Sequence, residues 1–521
     1  MNRFFLMNVF FSCILSGVIL FACGSIVSSS PEELRTSGKP GAPVLPLPPL
    51  DRPSLGETTS SPFNTQFYNP VKAGGDMGDP FVIRHNGKYY YTQTNPTILS
   101  IWPSSTLSGL AGEGENDKKV LLRGPDHGLY HLWTPVFYLY QGQWYCYFAA
   151  RTSAGLNPED ELTHRVYVMK TQDDDLMGNW SSPVKLNIPG DKWAIANFPF
   201  VINDKLYLCF TGLPNDDAYA GDAYKTEYLY LVELNASDPT EVISTTRTVM
   251  TTPTKDWEKG TYWHTEGAPV YQNPSGTWYC FYSANWAGSN DYCVGQLKLV
   301  KTDPLAENAW EKSNQPVFKT NAGNDVYGPG CIVFTKSPDN TEDWIIYHAA
   351  RRAGEGYGRN ARIQKFTWKP DGTPNFGDPV PLSELQDLPS GETVDRILVQ
   401  AEDMELKNGA EITTFSTVQA VEFPSSRATA SAVVNVPAKG KYAVYVRHSN
   451  TSSASSEFYV RVNNGKISSA EASIGGNATG KGTYTMAAVV LPLEDGKNLL
   501  TFSATQAVKI DLVILDKKIL D

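Results

Sequence analysis

Five segments of the chain share one pattern, in which a short apolar strand and a Gly, Asn or Asp turn lead into a second, aromatic-rich alternating strand. The copies begin at Phe81, Phe137, Phe200, Val270 and Val333. Each is typical of a β-hairpin. Further strand-like runs lie between the copies, and no segment shows an extended helical period. Four strands in each of five units predict an all-β protein with a five-bladed β-propeller, and a β-sandwich with similar hairpins is the alternative.

A second alternating region follows a break near residues 381–396. Beyond the break, apolar residues recur at every second position in runs such as "KGKYAVYVRHSN" and "VKIDLVIL". This period is typical of strands that bury one face. The pattern therefore predicts the propeller over residues 67–388 and a β-sandwich, jelly-roll-like domain over residues 396–521.

The N-terminus predicts export. An early Arg3 and an apolar stretch precede Cys23, which has small residues on both sides. Residues 1–23 therefore resemble a bacterial lipoprotein signal, in which the cysteine becomes the lipidated N-terminus; a plain secretory signal or a retained anchor are the alternatives. Residues 24–66 are rich in Pro, Ser and Gly, which predicts a linker. We expect a protein anchored by lipid at the cell envelope or surface.

The composition limits the classes of molecule that the protein is expected to bind. The net charge of -11 argues against nucleic acid, because such binding depends on basic side chains that neutralise phosphates. Cys146, Cys209 and Cys280 occupy the same place in successive copies of the hairpin, so we expect them to fill equivalent core positions instead of forming disulfides. The cysteines do not have a spacing typical of a metal site, so no metal site is predicted from them.

Two acidic residues stand just ahead of hairpin copies. Asp79 lies in "MGDPF" before the first copy, and Glu266 lies in "WHTEGAPVY" before the fourth. In a propeller the innermost strands begin around one central axis, so both carboxylates would face one pocket. Two facing carboxylates suit glycoside hydrolysis, in which one activates water and the other protonates the departing oxygen. Taken singly, an Asp before Pro is more often a turn residue and a Glu before Gly more often a solvated loop residue, and it is their equivalent placement in the repeat that favours a functional role.

The ordered phrases "GDPFVIRHNGKYYYTQT", "LWTPVFYLYQGQWYCYFAA", "WAIANFPFVINDKLYLCFTG", "TEGAPVYQNPSGTWYCFYSA" and "YGPGCIVF", with "NARIQKFTW", resemble glycoside hydrolase family 43 over roughly residues 68–385. The resemblance implies a five-bladed propeller that hydrolyses arabinofuranosides or xylosides with inversion and without a required cofactor. It implies that Asp79 is the general base and Glu266 the general acid, and that Trp133 and Arg362 contact the substrate.

Beside Val136, which stands where many relatives have a substrate-contacting acid, two further positions depart from the family pattern. A third acid, which tunes the general acid, belongs where this chain has Ala196. The histidine of the family's Gly-Pro-Gly-His stretch, which often helps to hold a hydrated cation at the axis, is replaced by Cys331. Both family positions are therefore vacant.

The vacancy at Ala196 has a chemical consequence. Without a neighbouring negative charge the pKa of Glu266 should fall, although Asn197 or Asp191 could substitute in part. We expect Ala196→Asp to pair with Arg362 and to raise both the activity and the pH optimum. An active hydrolase with altered tuning and a glycan-binding protein on an impaired hydrolase scaffold both stay open.

The C-terminal region resembles carbohydrate-binding module family 6. Glu402 matches an acid that often joins a structural calcium site, so the resemblance implies structural calcium as the one candidate ion. The family's sugar-binding Trp and Asn are here Ala507 and Lys509, which weakens the case for glycan binding by this domain. The expected partner of the whole chain is carbohydrate, with no nucleic acid, and with membrane contact only through the lipid anchor.

Overall fold

The computed structural model describes residues 66–72, 76–110, 118–155, 158–214, 226–382, 384–393, 396–415, 418–450, 456–463, 465, 467–472, 485–504 and 508–517. Within these ranges the fold is antiparallel β, with one short α-helix, α1 (Pro158–Glu161). The described 3₁₀ turns are Gly124–His127, Asp256–Glu258, Ala322–Asn324 and Ala401–Asp403. Among these residues no helix is long and apolar enough to cross a membrane. Cys23 and the rest of the predicted signal and linker up to residue 65 lie outside the described ranges.

After β1 (Gln66–Phe67), five sheets of four or five strands follow in chain order. Sheet one contains β2 (Phe81–His85), β3 (Lys88–Thr92), β4 (Ile98–Ser104) and β5 (Lys119–Arg123). Sheet two contains β6 (Tyr130–Tyr140), β7 (Gln143–Arg151), β8 (Arg165–Lys170) and β9 (Val184–Lys185). Sheet three contains β10 (Ala194–Ile202), β11 (Lys205–Gly212), β12 (Tyr228–Asn235), β13 (Asp238–Val242) and β14 (Thr248–Thr251). Sheet four contains β15 (Thr265–Glu266), β16 (Val270–Gln272), β17 (Trp278–Ala284), β18 (Cys293–Leu299) and β19 (Trp310–Lys312). Sheet five contains β20 (Tyr327–Lys336), β21 (Asp343–Ala350), β22 (Arg359–Trp368) and β23 (Pro374–Asn375).

The five predicted hairpins are all present as the β2–β3, β6–β7, β10–β11, β16–β17 and β20–β21 pairs. Three of them turn through two successive residues with positive φ, at Asn86–Gly87, Gln141–Gly142 and Asn203–Asp204. Such turns match the right-handed twist of the flanking strands. The local turn chemistry therefore agrees with the strand pattern on either side.

Sheets one and five are in contact although they are far apart in sequence. The Tyr89 hydroxyl donates a hydrogen bond of 2.8 Å to the Lys336 carbonyl, and the Arg84 guanidinium donates one of 2.6 Å to the Pro338 carbonyl. One hydrophobic cluster contains buried residues of sheets one, two and five. The cysteines predicted as core residues, Cys146, Cys209 and Cys280, are buried and unpaired, as expected.

A left-handed residue recurs where each of the five sheets begins. The five residues, one for each sheet in chain order, are Asp79 (φ 53°), Thr134 (φ 45°), Ala196 (φ 51°), Gly267 (φ 56°) and Cys331 (φ 48°). Residues other than glycine adopt this conformation only at a steric cost, so its recurrence marks a position that the fold imposes. The first sheet therefore presents a carboxylate where the third presents a methyl group.

The remaining strands form two antiparallel sheets, after a short ribbon in which β24 (Gln386–Asp387) pairs with β1. One sheet contains β25 (Arg396–Gln400), β27 (Glu411–Phe415), β28 (Val418–Glu422), β30 (Gly440–Asn450), β33 (Thr485–Leu493) and β35 (Val508–Lys517). The other contains β26 (Glu405–Lys407), β29 (Thr429–Val436), β31 (Ser456–Val462), β32 (Ile467–Ala472) and β34 (Gly496–Ala504). Residues from both sheets share one hydrophobic cluster.

Candidate active site

Asp79 is held from four sides. Its backbone N–H donates to His348 Nδ1 over 3.0 Å, and its Oδ2 accepts from the Thr94 hydroxyl over 2.5 Å. Its Oδ1 accepts from the Cys331 thiol over 3.3 Å and lies 3.6 Å from Arg359 Nη1. The side chain is 17% exposed, so the carboxylate is fixed but reachable from the pocket.

The charge around Asp79 favours its ionised form. Burial alone would raise the pKa of Asp79, but the Arg359 guanidinium, His348 and the hydrogen bonds from Thr94 and Cys331 together hold that pKa below its ordinary value. Arg359 is itself fixed by Asp76, through bonds of 2.8 and 2.6 Å to the two carboxylate oxygens. Asp79 is therefore a carboxylate at neutral pH, as a general base must be.

Glu266, on β15, has the opposite electrostatic environment. Burial is the main cause that raises the pKa of Glu266 to about 7, and the negative charge of Asp79 adds to it. A hydrogen bond of 2.8 Å from the Tyr292 hydroxyl, and the Arg359 charge, act in the other direction on this pKa. Glu266 therefore keeps a proton near neutrality, as a general acid must.

Cys331 and Tyr292 connect the two carboxyl groups. Contacts of 3.3 Å from Asp79 Oδ1 to Cys331 Sγ, 3.4 Å from that sulfur to the Tyr292 hydroxyl and 2.8 Å from the hydroxyl to Glu266 Oε1 form a continuous path. The two carboxyl oxygens therefore lie no farther apart than the upper limit of about 9.5 Å typical of inverting glycosidases. One pocket thus holds a carboxylate and a protonated carboxyl group close enough to act on the same glycosidic bond.

Aromatic side chains lie beside the acid. The Trp286 indole N–H donates to the Tyr357 hydroxyl over 3.0 Å, and the Tyr262 ring lies 5.4 Å from Trp286 and 5.5 Å from His264. Burial raises the pKa of Tyr357 to about 12, and among the smaller causes the charge of Glu266 adds to the increase. Tyr357 is 41% exposed, so this group offers flat apolar surface of the kind that packs against sugar rings.

The predicted residue Trp133 lies at the start of sheet two. Its ring stacks on His164, with 4.1 Å between ring centroids. It also packs against a small apolar cluster that contains Ala196, Trp193 and Leu213. Ala196 is therefore at the predicted position in the fold, and its described neighbours are apolar.

The two residues that could substitute in part for the missing acid have other surroundings. Asp191 is on the surface, where it pairs with Arg165 over 3.0 Å and Lys185 over 2.9 Å. Asn197 is fully buried, and its side-chain amide has no hydrogen-bond partner among the described residues. Neither residue brings a negative charge to Glu266.

Arg362, which is expected to contact the substrate, makes no described hydrogen bond or ion pair with Asp79 or Glu266. It is fully buried and donates to Asn360 Oδ1 over 2.9 Å and to the Ala350 carbonyl over 3.2 Å. Residues three apart in a strand face opposite sides, and the arginine that lies next to Asp79 is Arg359. Arg362 Nη1 is buried without a hydrogen-bond partner among the described residues, and substrate contact by Arg362 stays a prediction.

The position at Cys331 does not fit the hydrated cation that the family histidine often helps to hold. Burial, with the charges of Asp79 and Glu266, raises the pKa of the Cys331 thiol well above its ordinary value, so the sulfur stays protonated. A hard cation prefers oxygen ligands, and Arg359 already places a positive charge next to Asp79.

Glu402 has a buried carboxylate oxygen without a hydrogen-bond partner, but no cluster of three acidic, His or Cys ligand atoms among the described residues includes it. Calcium there stays a prediction.

Sequence reasoning missed Glu227, Arg359 and Tyr292. Glu227 also stands just ahead of an alternating strand, but that strand, β12, is the third of its sheet and does not begin a copy of the repeated hairpin. Tyr292 has no local signal, because its partners Glu266 and Cys331 lie 26 and 39 residues away in the sequence.

The chain belongs to glycosyl hydrolases family 43, whose family model matches residues 67–374. It is similar to the extracellular exo-α-(1→5)-L-arabinofuranosidase of Streptomyces avermitilis, with 32% identity over 65% of this chain and 68% of that one. It is also similar to α-L-arabinofuranosidase 43 of Humicola insolens, with 29% identity over 65% of this chain and 67% of that one.

Solved structures agree with this assignment. The α-L-arabinofuranosidase from Lactobacillus brevis superposes with a TM-score of 0.54 and 29% identity, covering 61% of this chain and 98% of that one. A thermostable family-43 glycoside hydrolase matches in fold with a TM-score of 0.52 and 23% identity, covering 63% of this chain and 100% of that one. The protein is therefore an O-glycosyl hydrolase, and its substrate is a carbohydrate.

Proposed function

We propose that the protein is an α-L-arabinofuranosidase that cleaves arabinofuranosyl linkages with inversion of the anomeric carbon. The observation that carries this proposal is the pairing of an ionised Asp79 with a protonated Glu266 in one pocket. The names of the similar proteins favour arabinofuranosides over xylosides as the substrate class.

The reaction assigns each carboxyl group one proton transfer. Asp79 removes a proton from a water molecule, whose oxygen then attacks the anomeric carbon from one side of the sugar ring. Glu266 donates its proton to the glycosidic oxygen on the other side, and the bond between that oxygen and the anomeric carbon breaks. The Arg359 charge keeps Asp79 ionised, and Tyr292 holds the Glu266 carboxyl in place.

We further propose that the five sheets close into a five-bladed β-propeller and that the last two sheets form a jelly-roll-like β-sandwich. The contacts of Tyr89 and Arg84 with the end of β20 and the segment that follows it support closure between sheets one and five. The shared core of the two C-terminal sheets supports the sandwich. Resemblance of this sandwich to carbohydrate-binding module family 6 stays a prediction, and Ala507 lies outside the described residues.

A glycan-binding protein that has lost hydrolysis is the second candidate. It is favoured by the apolar surroundings of Ala196, since a family position that normally carries an acid has none here. This candidate predicts saturable binding of arabino-oligosaccharides in calorimetry with no release of reducing sugar. The proposed enzyme predicts steady release that disappears in Glu266→Gln.

We also propose export and lipid anchoring through Cys23. The names of two similar Streptomyces proteins describe them as extracellular. Expression in a bacterial host with a labelled fatty acid should label the wild-type chain in the membrane fraction. The Cys23→Ser variant should remain unlabelled, whereas equal labelling of both would exclude this site.

The test of the proposed activity uses the purified protein and a panel of nitrophenyl glycosides. We expect release of nitrophenol from the α-L-arabinofuranoside at the highest kcat/KM, with the β-D-xyloside slower. Proton NMR of the reaction should show the inverted anomer of arabinose first. A retained anomer would contradict the inverting mechanism, and hydrolysis of neither glycoside would favour the binding protein.

A further inference from the structure

We infer that Glu227 supplies, from a different place in the chain, the carboxyl group that is absent at Ala196, and that it acts as a positioning residue for the general acid. This inference rests on the proposed role of Glu266 and names a residue that works through it. The juxtaposition that carries it is close: a carboxylate oxygen of Glu227, a ring nitrogen of His264 and a carboxylate oxygen of Glu266 all lie within 4.8 Å of one another.

The backbone around Glu227 fixes this position. The Glu227 N–H donates to the Trp263 carbonyl over 2.9 Å, and the Glu227 carbonyl accepts from the Thr265 hydroxyl over 2.9 Å. Thr265 is the neighbour of Glu266 on β15, so the two glutamates are anchored to the same short strand. The side chain of Glu227 is only 9% exposed, and it therefore has little freedom to turn away.

The side chain of Glu227 lacks the partners that a structural ion pair would have. Its Oε1 lies 3.4 Å from His264 Nε2, and its Oε2 is buried without a hydrogen-bond partner among the described residues. Burial lowers the pKa of His264 to about 3, so that ring is neutral and brings no positive charge. A buried carboxyl group with no cation nearby and another carboxyl group within 4.8 Å is a costly arrangement unless the two share a proton.

The charged groups that face the pair agree with proton sharing. Burial, together with the charges of Glu266 and Glu161, raises the pKa of Glu227 well above its ordinary value. The charge of Glu161 is partly neutralised by Arg151, whose Nη1 lies 2.9 Å from Glu161 Oε2.

On the side of Glu266, the facing groups are the charges of Asp79 and Arg359 and the Tyr292 hydroxyl. The Cys331 thiol beside Tyr292 is neutral. Among the described residues, Glu227 is the carboxyl group that lies within 4.8 Å of Glu266, close enough to hold a proton jointly with it. Two carboxyl groups at this distance lose their protons in two separate steps, and the second step belongs to the pair.

The consequence for catalysis follows from the sign of this interaction. The general acid works only while it is protonated, so the alkaline limb of the pH profile of kcat/KM reports the loss of the last proton from the pair. After the first proton has left, the pair holds one proton and one negative charge between its two carboxyl groups, so Glu266 stays protonated for part of the time until the second proton leaves. Glu227→Gln leaves Glu266 with a single proton and no carboxyl group to share it with, so Glu266 should ionise at lower pH, and the alkaline limb should move down by about one pH unit.

The experiment measures kcat/KM on 4-nitrophenyl α-L-arabinofuranoside from pH 4 to pH 10 for the wild type, Glu227→Gln, Glu227→Asp and Asp191→Asn. We expect the limb to move down in Glu227→Gln and to return toward the wild-type position in Glu227→Asp, which keeps the charge. Asp191→Asn removes an exposed carboxylate that already has two cationic partners, and it should leave the profile unchanged. Thermal unfolding of each variant checks that it is folded.

Two results would overturn the inference. One is an alkaline limb in Glu227→Gln that coincides with that of the wild type. The other is an activity that falls by the same factor at every pH, which would assign Glu227 to substrate contact alone. Failure of the proposed function looks different, because then the wild type itself would not hydrolyse the arabinofuranoside.

Discussion

Sheets one and three begin with the same backbone conformation and opposite chemistry. Asp79 and Ala196 both adopt a left-handed conformation, with φ of 53° and 51°. Asp79 is joined to Thr94, Cys331 and Arg359, whereas Ala196 lies in an apolar cluster with Trp193 and is packed by Trp133. The fold fixes where a side chain enters the pocket, and the residue type alone decides whether a charge is there. An acid that is missing from one such position can therefore be replaced only from a neighbouring element.

The largest effect should come from removing the charge at the sheet-one position. Asp79→Asn keeps an oxygen that accepts from the Thr94 hydroxyl but cannot take a proton from water. We expect kcat to fall by about 10²- to 10⁴-fold with little change in thermal stability. Steady-state kinetics on the arabinofuranoside and a thermal melt measure both quantities, and full activity in a folded variant would remove Asp79 from the mechanism.

The reciprocal change adds a charge at the sheet-three position. Ala196→Asp suits the left-handed backbone, but it places a carboxylate among buried apolar side chains. We now expect the free energy of unfolding to fall by about 2–4 kcal/mol at pH 8, with no gain in activity. Ala196→Asn is the uncharged control and should lose less. Higher activity in Ala196→Asp, with the alkaline limb of its pH profile at higher pH, would instead support the expectation from the sequence that an acid at this position tunes Glu266.

A smaller effect concerns stability at Glu266. Its pKa is raised from 4.5 to about 7 in the folded protein, so its contribution to stability is full below pH 4.5 and is lost as the pH rises through 7. Glu266→Gln has no such loss. Relative to the wild type, the variant should therefore gain of the order of 1–3 kcal/mol in the free energy of unfolding between pH 4 and pH 8. Urea titrations at the two pH values give the difference; no gain would place Glu266 in contact with bulk water.

The smallest effect should come from Tyr292→Phe. The Tyr292 hydroxyl stabilises the ionised form of Glu266 and lowers its pKa, so removing the hydroxyl should raise that pKa. We expect the alkaline limb to move up by about half a pH unit, opposite in direction to Glu227→Gln. A downward movement would mean that the hydroxyl supports the protonated acid.

Much of the fold could be predicted because its signals are local. The two-residue period and turn pairs such as Asn86–Gly87 specify each hairpin, and five similar hairpins specify five sheets. Asp79 and Glu266 could be singled out because they precede first strands, where the repeat brings side chains together.

The surroundings of the two acids could not be predicted, for physical reasons. Choosing between Arg359 and Arg362 needs the register of β22, because residues three apart point to opposite faces. Glu227 meets Glu266 through backbone bonds to Trp263 and Thr265, which no local pattern reveals. Electrostatic tuning depends on such non-local distances, so it is the part of a site that sequence patterns specify least.

The most direct test of the acid and base assignment compares two leaving groups. An oligosaccharide such as α-1,5-arabinobiose needs a proton from Glu266 as its bond breaks, whereas a 2,4-dinitrophenolate leaves without one. Glu266→Gln should therefore lose about 10²-fold or more in kcat/KM on arabinobiose and less than about tenfold on 2,4-dinitrophenyl α-L-arabinofuranoside, whereas Asp79→Asn should lose activity on both. Equal losses on the two substrates in Glu266→Gln, or retained activity in Asp79→Asn, would contradict the assignment.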